Sequence, residues 1–77
     1  MKDTRTKNHT SIAKVVELIG SSPDSWEDAT ANAIEGASHS IRNIMGADVV
    51  RFTAKVKNNK IVEYHADVKI AFVVEQE

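Results

Sequence analysis

Residues 63–75, EYHADVKIAFVVE, decide how this chain folds. Successive side chains point to opposite sides of a strand, so Tyr64, Ala66, Val68, Ile70, Phe72 and Val74 form one apolar side. The other side carries Glu63, His65, Asp67 and Lys69, then turns apolar at Ala71 and Val73. Such a strand needs complete cover on one side and partial cover on the other.

Upstream, residues 48–57 read as a partner strand, with Val50, Phe52, Ala54 and Val56 on one side. Asn58-Asn59 joins the two strands as a two-residue hairpin turn, because asparagine tolerates positive φ. That turn sets Ile61 opposite Val56, on the apolar side. Ile61 to Tyr64 is an odd step, which strict alternation forbids. A β-bulge near Val62–Glu63 restores the side and is expected there.

Residues 12–19, IAKVVELI, are rich in β-branched types and read as a first strand. GSSPDS follows as a turn. Residues 25–45 repeat with helical period, placing Trp26, Thr30, Ala33, Ala37, Ile41 and Ile44 on one stripe. Ser22 or Ser25 suits the N-cap, and Gly46 the C-terminal stop. Ala29, Ala33, Gly36, Ala37 and Ser40 are small enough to let a sheet approach closely.

The expected fold is α+β: a β-α-β-β chain whose three-stranded antiparallel sheet packs on one helix, with the last strand central. Residues 1–11 are polar, without period, and read as a flexible arm; residues 12–77 form the domain. The helix covers one sheet face. On the other, Ala13 and Val15 fall beside Ala71 and Val73, with Arg51, His65, Asp67 and Lys69 at the opposite end. An apolar patch with a polar rim marks a protein interface.

Size supports this. A chain of 77 residues without cysteine has a small core and no disulfides, so self-association is the expected source of missing stability. Apolar residues at 42% and charged residues at 27% place it among globular chains. A net charge of −1 argues against nucleic acid. No apolar run reaches the ~20 residues of a membrane span, and MKDTRTKNHTS lacks a signal-peptide core. A cytoplasmic location is expected.

His65 and Asp67 share a strand side and can form a proton-handling pair; without a nucleophile nearby, a hydrogen-bonded network between subunits is the preferred reading. Glu35 and His39, four apart on a helix, have metal-ligand spacing but lie opposite the apolar stripe, as a solvated pair does. Trp26 reads as packing rather than as a stacking platform. Lys55, Lys57 and Lys60 read as a solvated hairpin tip that blocks strand pairing. Nothing here reads as an enzyme.

VVELIG followed by GSSPDS, the helix segment ATANAIEGASHSIRNI and the terminal VKIAFVVE, in this order and spacing, resemble the dodecin family across residues 12–75. The resemblance implies a hollow shell of twelve copies that binds and sequesters a flavin (FMN, riboflavin or FAD), with no nucleic-acid or membrane partner. Where that family stacks a tryptophan on the flavin ring, this chain has Gly46. His65 stands at a flavin-contacting glutamine, and Arg51 at a polar or acidic position. Stacking on one aromatic ring is worth ~1–3 kcal/mol, so the Gly46 exchange implies weakened flavin binding. Gly46, Arg51, His65 and Asp67 are the candidate ligand-binding residues. The alternative is a structural oligomer that binds no flavin and holds an ion or another anionic ligand.

Overall fold

The computed structural model describes residues 12–74. The expected arm at 1–11 lies outside them. Strand β1 spans Ile12–Ser22, helix α1 Trp26–Ser38, strand β2 Ile44–Lys57 and strand β3 Lys60–Val74. The sheet order is β1-β3-β2, and both outer strands run antiparallel to β3. The α+β architecture expected from the sequence is the one observed.

The β2–β3 hairpin follows from its turn. Asn58 and Asn59 take φ 53 and 65, which carries the chain through two left-handed residues and matches the strand twist. Lys55 then faces Glu63 and Val56 faces Ile61, leaving Val62 as the extra residue of a bulge. The bulge sits where the broken alternation placed it.

Two further bulges were not legible. Register shifts occur between Ile44 and Gly46 and between Val49 and Arg51, so Met45 and Val50 are extra residues on β2. Val49, opposite Val68, therefore takes the helix-facing side assigned to Val50.

The helix is shorter than its period suggested. It ends at Ser38, with His39 as C-cap, and Ile44 and Met45 belong to β2. Gly46 is not the helix stop. It lies within β2 opposite Ala71, and no glycine has positive φ among the described residues. Asn43, at φ 62, makes the left-handed turn instead, and its carbonyl accepts from the Val73 amide at 3.2 Å. At the other end, Ser25 Oγ accepts from the Asp28 amide. Ser22 Oγ donates to Asp28 Oδ2 at 2.7 Å and accepts from the Asp24 amide at 2.9 Å. Both serines thus serve the helix start.

Ala29, Ala33 and Ala37 point one side of α1 at the sheet and are buried together with Ala66, Val68 and Ile70 of β3. Val16, Leu18, Ile34, Ile41 and Ile44 flank this core. The small side chains let the backbones come close: a Cβ at Gly20 would stand 2.8 Å from Ala33 Cβ. Gly20 belongs to β1, which runs on to Ser22 rather than ending at Ile19.

The helix sits over β1 and β3 and barely reaches β2. Phe52, on the helix-facing side of β2, is therefore 52% exposed in the single chain, and Phe72 is half-buried. Trp26 packs from the helix start: its Nε1 donates to Thr53 O at 2.8 Å, and its ring meets Tyr64 edge-on at 4.8 Å.

Candidate functional site

The sheet face turned away from α1 follows from the pairing. Ala13 faces Val73 and Val15 faces Ala71 on β1 and β3, with Gly46 of β2 beyond Ala71. This is the apolar half, and Val15 is 56% exposed. Next comes a row of Glu17, Lys69 and Asp48, then one of Ile19, Asp67 and Arg51, then Ser21, His65 and Thr53. The chain thus places Arg51, His65 and Asp67 on one face, with Gly46 at the border of its apolar half.

Charges alternate across this grid. Arg51 Nε lies 3.5 Å from Asp67 Oδ2, and the Asp67 side chain is 14% exposed while Arg51 stays largely in solvent. Asp67 Oδ1 is buried without a hydrogen-bond partner. A buried carboxylate oxygen left unpaired costs free energy unless a proton, cation or donor reaches it.

Glu17 lies diagonal to Asp67 across the β1–β3 pairing. Its pKa is raised, first by hydrogen bonding with Asp67 and next by that residue's negative charge; Lys69 and Arg51 act the other way. Two ionised carboxylates repel, so a hydrogen bond between them requires a proton on one, and a divalent cation can take the proton's place.

His65 does not pair with Asp67. Its Nε2 donates to Glu63 Oε1 at 2.9 Å, two residues back on the same strand side. Within one chain His65 thus pairs with Glu63, and Asp67 with Arg51. Glu17 and Glu63 were missed as site members; Glu17 shares odd numbering with Ala13 and Val15 on β1, which was the available signal. Glu35 and His39 are both exposed, and no cluster of three or more His, Asp or Glu suited to a metal occurs among the described residues.

A Cβ added at Gly46 would meet nothing within 4 Å. The space above Gly46 is thus open, and the residues present there do not fit flavin binding by stacking. No helix among the described residues is long and apolar enough to cross a membrane.

Comparison with known proteins adds four findings. A calcium dodecin of Mycobacterium tuberculosis (strain ATCC 25618 / H37Rv) is 34% identical over 62 residues, covering 80% of this chain and 87% of that protein. The crystal structure of a calcium-chelating immunodominant antigen, calcium dodecin, from the same species, reported with a novel calcium-binding site, superposes with a TM-score of 0.74 at 31% identity. It covers 83% of this chain and 91% of that one. The dodecin from Streptomyces coelicolor shares the fold with a TM-score of 0.83 at 24% identity, over 87% of this chain and 96% of that one. The sequence profile of the family described as Dodecin matches residues 12–75, which is the whole of the sheet and helix described above, and the chain belongs to the dodecin family.

Proposed function

We propose that this protein binds and sequesters a small ligand within a self-assembled shell of twelve copies, and that the ligand is a divalent cation held by Glu17 and Asp67. The unpartnered, buried Oδ1 of Asp67 carries this reading. Calcium takes six to eight oxygen ligands. One chain offers two carboxylates, so the remaining ligands come from other copies or from water, and assembly and cation binding are linked. A relative named for calcium, 34% identical, supports the choice of ion. The role is binding rather than catalysis, in the cytoplasm, with neither nucleic acid nor membrane as partner.

Equilibrium dialysis of chelator-treated protein against calcium tests this. Wild type should take up calcium, and Asp67→Asn, which keeps the shape and removes the charge, should bind at least tenfold more weakly. No uptake by wild type at millimolar calcium would end this reading.

A second reading rests on Gly46. The open space above it, bordered by the apolar half of the face, admits a flavin (FMN, riboflavin or FAD) without the stacking ring, and so only weakly. Arg51 and His65 lie on the same face, two and three rows from Gly46 along β3.

A further inference from the structure

The two carboxylate oxygens of Asp67 have different surroundings. Oδ2 faces the Arg51 guanidinium at 3.5 Å, while Oδ1 is buried without a partner. The two residues stand opposite each other because β2 resumes its pairing with β3 at Arg51, just past the bulge. The Asp67 side chain is held in the sheet at 14% exposure, whereas that of Arg51 is 64% exposed. One partner is fixed, and the other can swing into solvent without uncovering the core.

The neighbouring charges are engaged elsewhere. Lys69, one row along, lies between Glu17 and Asp48. His65, on the other side, is held by Glu63 at 2.9 Å. At Glu17, whose pKa is raised first by hydrogen bonding with Asp67, the charge of Arg51 pulls the other way, as does that of Lys69. Arg51 thus acts on both carboxylates assigned to the cation.

We infer that Arg51 is the resident counter-ion of this site: it neutralises Asp67 until a divalent cation displaces it. This rests on the cation reading above and adds the residue that sets the affinity. The guanidinium is always charged, so an incoming ion always meets a competitor. A monovalent ion brings no more charge than the arginine already supplies, and the arginine is tethered, which gives it a high effective concentration. A divalent ion brings twice the charge and wins the exchange. Arg51 thereby lowers the affinity for every cation and sharpens discrimination in favour of divalent ones.

Calcium titrations of chelator-treated protein test this role, with circular dichroism to check each fold. Arg51→Gln removes the charge but keeps a polar side chain, and should bind calcium at least threefold more tightly than wild type. The gain is modest because an exposed charge is screened by solvent and salt. Arg51→Lys should give back most of the competition. The Arg51→Gln, Asp67→Asn double variant should lose the gain, since the arginine acts through Asp67. The sign is decisive, because removing a residue that merely shapes the face weakens binding.

Stability should cross over in the same way. In chelator, Arg51→Gln leaves a largely buried carboxylate without its cation and should unfold at a lower temperature than wild type; saturating calcium should abolish that deficit. Equal or weaker calcium binding by Arg51→Gln, or an equal gain in Arg51→Lys, would overturn the counter-ion role while wild-type uptake kept the cation site. Absence of uptake in wild type and Arg51→Gln alike would remove the site, and the role with it.

Discussion

Gly20 lies against Ala33: a Cβ on the glycine would stand 2.8 Å from the alanine's Cβ and closer still to the Ala29 carbonyl oxygen. The strand and helix backbones touch here, and the obstacle is main chain, which cannot swing aside. Gly20→Ala should therefore destabilise the fold by roughly 1–3 kcal/mol, the range for overpacked cores. Denaturant unfolding of the variant measures it. A midpoint equal to wild type would mean that helix and strand sit farther apart than described.

The core and the exposed stripe should separate in mutagenesis. Ile70 is fully buried, so Ile70→Ala should cost ~2–5 kcal/mol. Phe52→Ala should cost an isolated chain less, because half of that ring faces solvent. Its larger effect should appear as a loss of sedimenting mass. Equal destabilisation by both changes under dissociating conditions would contradict the uncovered position of β2.

Acidity offers a third check. Glu17 binds its proton more tightly in the folded chain, through Asp67. A raised folded-state pKa means that the contribution is fully present below the ordinary glutamate range and is lost as pH rises through the raised value. Glu17→Gln removes this titration. Thermal unfolding of wild type should lose stability on going upward through that range relative to Glu17→Gln, and calcium should reduce the difference. Parallel pH profiles for the two proteins would show that Glu17 and Asp67 do not interact.

Gly46→Trp tests the flavin reading. Gly46 needs neither positive φ nor the absence of a side chain, so the ring should be accepted by the strand. Flavin fluorescence should be quenched weakly by wild type and at least tenfold more tightly by the assembled variant, as expected from ~1–3 kcal/mol per stacked ring. Tight binding by wild type, or no gain in an assembled variant, would refute it.

Local signals account for most of what the sequence disclosed. The Asn58-Asn59 turn and the bulge at Val62 follow from alternation and turn chemistry, which act over a few residues. The helix end was misplaced because Ile41 and Ile44 continue the helical period although Asn43, in the left-handed region, has already turned the chain. A residue that tolerates two conformations carries no decisive sign in one sequence. Of the candidate site, Arg51, His65 and Asp67 share a face as expected. Their partners did not emerge, since Glu17 reaches Asp67 only through the pairing of strands far apart in the chain.

The bulge at Val50 keeps the grid in phase. Gly46 and Asp48 are even-numbered and Arg51, Thr53 and Lys55 odd-numbered, yet all five share the open face, because the two bulges of β2 fall before Gly46 and at Val50. Deleting Val50 would leave a regular strand in which Val49 and Arg51 become neighbours opposite Val68 and Asp67, so Asp48 and Arg51 would keep the open face. The residue contributes no charge to the site; it is an inserted residue that the bulge absorbs. Any alignment of this strand with a relative that lacks the bulge must therefore open a gap at Val50, or it will match inward-facing residues to outward-facing ones for the rest of the strand.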